Sequence, residues 1–249
     1  MTIATWTVSW AGYTHQGKVR TQNQDNFHMD GSGRFFILAD GMGGHSGGEV
    51  ASERTVEAAK NFLESLNWAD LPPLHEIAKN CVQAATQSLK DWVSLNEEHE
   101  DMGTTLLVWI RNSDKIWMFS LGDSRIYLFR EKKLFQLTFD QIIESELRRR
   151  GANRIQAARS PGSAYLSRCI LTNRICEPDI LEIDSKTGDF WLLCSDGLSR
   201  EVDNDEIVEL LGPLTEVGAE SCVISLIERA LHNGGRDNIT VIGVSLEIA

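Results

Sequence analysis

Apolar positions recur at two spacings along the chain, and each spacing predicts a kind of element. Trp6–Tyr13 has the Trp, Thr, Val and Tyr content of a strand. A turn at His15–Gly17 and a polar stretch over 18–26 lead to Phe27–Met29, and the Asp30–Gly33 cluster predicts a hairpin into a strand over Arg34–Ala39. From Glu49, the positions Ala51, Thr55, Ala58, Phe62 and Leu66 trace one face of an amphipathic helix. Pro72 and Pro73 open a second helix, with Leu74, Ile77, Ala78, Cys81, Ala85, Leu89, Trp92 and Val93 on its buried side. Its solvated side carries Glu76, Lys79, Gln83 and Lys90.

At Gly103 the period becomes two. Thr104–Ile110, Lys115–Leu121, Arg125–Arg130 and Lys133–Leu137 predict a four-strand meander joined by short polar turns. Gln141–Arg150 reads as a charged helix and Gly151–Ser163 as a loop. Strands are expected over Asp179–Ile183 and Phe190–Cys194, helices over Asn204–Leu211 and Val217–Asn233, and a last strand over Ile239–Leu246. Strand-rich blocks alternating with amphipathic helix pairs predict sheets packed together with helices outside, the layering left open. No Pro/Ser-rich linker, low-complexity tract or repeat divides residues 1–249, which read as a single domain without a regulatory tail.

Composition narrows the function classes. With 24 basic against 36 acidic side chains the formal charge is -12, which disfavours nucleic acid and anionic membrane as partners. Five widely spaced cysteines with no Cys-x-x-Cys pair suit reduced thiols in a cytoplasmic protein. Met1–Trp10 lacks the basic segment of a secretory signal, and the apolar run Leu106–Ile110 stops at Arg111, far short of a membrane span.

Candidate chemistry lies at strand ends. Asp40 follows the apolar run Phe35–Ala39 and precedes Gly41, Asp196 follows Phe190–Cys194 and precedes Gly197, and Asp237 stands just ahead of Ile239–Ile242. Asp25 and Asp123 also sit beside turn residues at strand ends. Asp-Gly pairs make good turns, so any one of these positions has an ordinary explanation. Aspartate disfavours strands, however, and five such positions invite a shared one. Converging carboxylates repel, a divalent cation removes that repulsion, and an all-oxygen set favours Mg²⁺ or Mn²⁺ over Zn²⁺.

Six motifs occur in order: Arg20-Thr-Gln-Asn-Gln-Asp25, Ala39-Asp-Gly-Met-Gly-Gly44, Gly103-Thr-Thr105, Gly122-Asp-Ser-Arg125, Ser195-Asp-Gly-Leu198 and Gly235-Arg-Asp-Asn238. Together, over about Tyr13–Val244, they resemble the metal-dependent protein phosphatase 2C family in its compact bacterial form. The resemblance implies an α+β fold, a central sandwich of two antiparallel sheets flanked by pairs of helices. It implies hydrolysis of phosphoserine and phosphothreonine in proteins, a water bridging two metal ions attacking the phosphate in line with no phosphoenzyme. Mn²⁺ or Mg²⁺ would be the cofactor, with two ions in the core and a possible third.

Carried over by position, Asp40 bridges two ions, Asp196 and Asp237 hold the first and the Gly41 carbonyl the second. Asp25 sits beside them, Asp123 and Asp196 form a weaker third site, and Arg20 takes the substrate phosphate. The partners implied are phosphoserine and phosphothreonine proteins, a cognate kinase or its substrates among them, and a monomeric enzyme. The likeness also places a variable flap over 141–167, where Arg148, Arg149, Arg150 and Arg154 form either a solvated face or a contact for acidic partners.

Two positions depart from the family pattern. Gln24 stands where many relatives carry Glu, and Met42 where eukaryotic members place a histidine proposed as the general acid for the leaving serine alkoxide. His45, three residues on, is either the candidate acid in its place or a helix-start or surface residue. Two rival readings are a phosphoprotein-binding module of the same fold with a decayed site, and a metal-dependent phosphodiesterase. A nucleotide P-loop is excluded, because the glycine run lacks the Gly-Lys-Ser/Thr ending.

Overall fold

The computed structural model describes residues 6–43, 47–97, 101–215 and 217–248. Its strands are β1 (Trp6–His15), β2 (Asp25–Met29), β3 (Phe35–Met42), β4 (Gly103–Thr104), β5 (Leu106–Asn112), β6 (Lys115–Leu121), β7 (Arg125–Arg130), β8 (Lys133–Gln136), β9 (Ile170–Leu171), β10 (Asp179–Asp184), β11 (Asp189–Cys194) and β12 (Ile239–Ile248). Helices are α1 (Gly47–Glu64), α2 (Leu74–Val93), α3 (Ile143–Arg149), α4 (Arg154–Ala158), α5 (Asp196–Ser199), α6 (Asn204–Leu214) and α7 (Ala219–Asn233). One sheet runs β1-β12-β11-β7-β8, the other β10-β6-β5-β3-β4-β9 with β2 also on β3, and the strand pairs are antiparallel.

Strand β3 shows how the layers form. Its residues 35–39 are all buried, because successive side chains point to opposite faces and both faces are covered. Phe36 and Leu38 enter the core between the sheets, where Trp109 meets Trp191 edge-on with ring centroids 6.1 Å apart. Phe35, Ile37 and Ala39 face the other way, into a cluster with Ala59 and Leu63 of α1 and Ile77, Cys81 and Leu89 of α2. Beyond the other sheet, Ile207 and Leu211 of α6 and Cys222, Leu226 and Ala230 of α7 form the matching outer cluster. Helix, sheet, sheet and helix therefore stack in four layers, the α+β sandwich that the resemblance implies.

Three expectations need correction. The four-strand meander does not form: β6 pairs with β5 and β10, whereas β7 pairs with β8 and β11 in the opposite sheet. The chain crosses at Gly122–Ser124, where Gly122 takes φ +106 and a Cβ would stand 2.5 Å from the Thr105 side chain. Strands buried on both faces carry no record of their partner, so the apolar pattern could not separate a crossing from a hairpin. Second, the stretch read as a loop over 151–163 contains α4, started by a capping box in which Asn153 and Gln156 satisfy each other's backbone N–H. Third, the buried stripe of α1 is rotated, running through Ala51, Ser52, Thr55, Val56, Ala59 and Leu63, with Ala58 and Phe62 at its edge.

Candidate metal centre

Asp40 is fixed through its backbone. Its N–H donates to Thr105 Oγ1 at 2.9 Å, and its carbonyl accepts from the Thr105 N–H and Thr104 Oγ1, each at 2.9 Å. Thr105 Oγ1 in turn lies 2.8 Å from Ser124 Oγ, so the Gly103–Thr105 motif couples Asp40 to the crossover that carries Asp123. Asp25 stands directly across from Asp40 in the β2–β3 register, two like charges as cross-strand neighbours. Next to Asp40, Gly41 comes so close to the start of α1 that a Cβ would lie 1.9 Å from the Gly48 carbonyl oxygen.

The remaining acids come from the other sheet. Asp196 opens α5 at the end of β11, and Asp237 precedes β12. Gly197 permits that approach, since a Cβ there would meet the Asn238 carbonyl oxygen at 1.9 Å. Asn238 organises the loop bearing Arg20: its Oδ1 accepts from the Gln24 N–H at 2.9 Å, and its Nδ2 donates to the Gln16 and Gln22 carbonyls at 2.8 Å. Asp40, Asp123, Asp196 and Asp237 thus line one cavity of about 460 Å³, together with Arg20, Gly41, Arg174 and Arg200. Strand ends distant in sequence meet at one spot.

Crowding shows in the protonation equilibria. Burial pushes Asp25 up to about 6 against the hydrogen bonds it accepts, with Asp237 adding repulsion. Asp196 is pushed to about 7 by burial and by Asp123, opposed by the Arg200 guanidinium. Asp40 lies well above the ordinary carboxylate range through burial and the charges of Asp25, Asp196, Asp123 and Asp237. Asp123 is also raised by burial. Ser195 Oγ and Thr240 Oγ1 each donate to Asp25 Oδ2 at 2.7 Å, while Asp25 Oδ1 is buried with no hydrogen-bond partner.

Among the described residues no three acidic, histidine or cysteine side chains form a ready-made coordination set. Two arginines stand among the acids. Arg20 Nη2 donates to Asp237 Oδ2 at 2.7 Å, and Arg200 Nη2 lies 2.6 Å from Asp196 Oδ2 and 3.4 Å from Asp123 Oδ2. Both guanidinium groups are about half exposed. An orphaned buried oxygen on Asp25, a carboxylate ring with raised proton affinity and a glycine cradle at Gly41 together fit hard divalent cations.

All the proposed acids therefore sit at or against the cavity, Asp25 behind its wall. His45 lies outside the described residues, as do Gly44 and Ser46. Thr240 and Arg200 escaped the sequence reading. Arg200 had a signal, since position i+4 from Asp196 shares a face if the Asp-Gly turn opens a helix; Thr240 looked like any strand threonine.

A family model described as protein phosphatase 2C matches residues 11–231. The chain belongs to the protein phosphatase 2C family. Among its members, serine/threonine protein phosphatase PstP of Mycobacterium tuberculosis is 35% identical over 242 residues, covering 97% of this chain and 46% of that protein. This chain thus spans about half the length of the mycobacterial relative. Serine/threonine phosphatase stp of Listeria monocytogenes is 34% identical over 245 residues, covering 94% of each. A solved structure of the PstP catalytic domain in complex with two manganese ions superposes with a TM-score of 0.84 at 33% identity, covering 98% of this chain and 100% of that one. The family match ends before Asp237, whose motif is placed by the geometry above.

Proposed function

We propose that this protein is a serine/threonine phosphoprotein phosphatase that depends on Mn²⁺ or Mg²⁺ and forms no covalent phosphoenzyme. The observation carrying the reading is the convergence of Asp40, Asp123, Asp196 and Asp237 with Arg20 on one cavity. Asp40, Asp196 and Asp237 would hold one ion, and Asp40 with the Gly41 carbonyl a second, Asp123 and Asp196 offering a weaker third position. Bound there, divalent cations supply acidified water and neutralise charge on the phosphate oxygens.

The chain's own groups do the rest. Arg20 is a planar fork that can leave Asp237 to grip two phosphate oxygens, orienting the monoester for in-line attack. Asp25, pinned through one oxygen by Ser195 and Thr240, keeps the other free to accept a proton or hydrogen bond from water. No cysteine competes as nucleophile: Cys169 lines the cavity, but burial pushes its thiol up to about 12, so it stays protonated near neutral pH. His45 remains the proposed acid for the leaving alkoxide.

Phosphoserine and phosphothreonine proteins, a cognate kinase or its substrates among them, are the proposed partners, met by a cytoplasmic monomer. No helix among the described residues is long and apolar enough to cross a membrane. One assay tests the reading: hydrolysis of a phosphothreonine peptide with Mn²⁺, with EDTA and with Asp196→Ala. Activity is expected only in the first condition. Turnover that survives chelation would end the metal mechanism, and turnover of a phosphodiester but not the peptide would favour the phosphodiesterase.

A further inference from the structure

Charge is unevenly divided along this acidic chain. Between positions 141 and 174 there are seven arginines, no lysine and two glutamates, net +5, in a protein of net -12. Two of these arginines are committed: Arg168 binds Asp179 through two nitrogens at 2.7 and 2.9 Å, and Arg149 lies over the Phe139 ring at 4.2 Å. Arg148, Arg150, Arg154, Arg159 and Arg174 are exposed and make no ion pair among the described residues.

Arg174 is where this arginine-rich stretch reaches the cavity. It lines the same cavity as Arg20 and Arg200, and of the three it alone has no carboxylate partner among the described residues. Its Nη2 donates to the Ser167 carbonyl at 3.1 Å and the guanidinium also hydrogen-bonds the Cys169 side chain, so neither partner neutralises its charge. Beside it in the lining stand Tyr165, exposed, and Leu171, so an extended peptide would find an apolar contact and a planar cation together.

We propose that Arg174, where this arginine-rich stretch meets the cavity, forms an anion subsite that takes an acidic or phosphorylated side chain flanking the phosphoserine or phosphothreonine. The proposal rests on the phosphatase reading above and specifies its substrate class. A peptide fits where a long polyanion does not, because the basic patch is local and the rest of the surface repels extended negative charge.

The test compares two phosphothreonine peptides, one flanked by Asp and Glu and the other by Asn and Gln, on the full chain with Mn²⁺. The kcat/KM ratio is expected to favour the acidic peptide by about tenfold, the size of one charge-assisted hydrogen bond, mostly through KM. Arg174→Gln brings the ratio close to one, Arg174→Lys keeps part of it, Arg154→Gln, at a residue outside the cavity lining, leaves it unchanged, and 0.5 M salt shrinks it. A wild-type ratio of one or below, or a ratio that Arg174→Gln leaves intact, overturns the subsite. Failure to hydrolyse either peptide sinks the phosphatase reading instead. Fluorescence anisotropy with the same peptides then decides the subsite alone: tighter binding of the acidic one supports it, equal binding ends it.

Discussion

At the scale of single residues, the centre is a collection of side chains that are unfavourable by themselves. Asp25, Asp40 and Asp196 all hold protons more tightly than an ordinary carboxylate, chiefly because burial penalises their charge. That shift has a definite sign for stability. In the chelated protein the folded-state values for Asp25 and Asp196, about 6 and about 7, exceed the ordinary 3.8. Between those limits the folded chain binds more protons than the unfolded one, so stability falls as pH rises from about 4 through 7. Melting in EDTA should therefore drop by roughly 5 °C or more between pH 5 and pH 8, and saturating Mn²⁺ should remove the slope. A melting temperature that rises over that interval in EDTA would mean these acids are not crowded. Asp25 and Asp40 were readable as strand-end acids, yet the hydroxyls of Ser195 and Thr240 that steady Asp25 were not, since nothing in a strand sequence says which neighbour lies across a sheet.

Among elements, the decisive features are close approaches. The short helix α5 sits so near the start of β12 that only glycine fits at position 197. Gly197→Ala should cost about 1–3 kcal/mol or more by overpacking against a backbone carbonyl, a loss of roughly 3–10 °C in melting temperature. It should also loosen metal binding, because the shifted backbone carries Asp196 on one side and Asp237 on the other. Gly31→Ala is the control: it lies in the turn between β2 and β3 with open space around it and outside the left-handed region, so the replacement should be neutral or stabilise by up to about 1 kcal/mol. If both variants melt alike, the close approach at Gly197 has no energetic weight. Helix α2 is legible from its apolar spacing and β11 from its unbroken apolar run. Elements built by local hydrogen bonding, such as α4 with its Asn153–Gln156 box, were hidden in polar sequence because binary pattern does not register caps.

Over the whole molecule, the two sheets meet at the end where five acids gather, so a bound cation should tie both halves of the sandwich together. A ligand that binds only the folded chain stabilises it by about 2.7 kcal/mol at one hundred times its dissociation constant. Scanning fluorimetry with Mn²⁺ should accordingly raise the melting temperature by roughly 5–10 °C, reversed by EDTA. A melting temperature indifferent to millimolar Mn²⁺ and Mg²⁺ would argue that the acids hold no metal. By itself, the sequence determined the helices with a clear apolar face, the strands rich in β-branched and aromatic residues, and the order of the six motifs, because these depend on neighbours a few positions apart. Tertiary structure decided that β6 and β7 part company between sheets, that Arg20 and Arg200 neutralise Asp237 and Asp196, and that Arg174 reaches the same cavity without an acid. Each depends on residues far apart in the chain being brought within a few ångströms, and no local spacing encodes a distance through space.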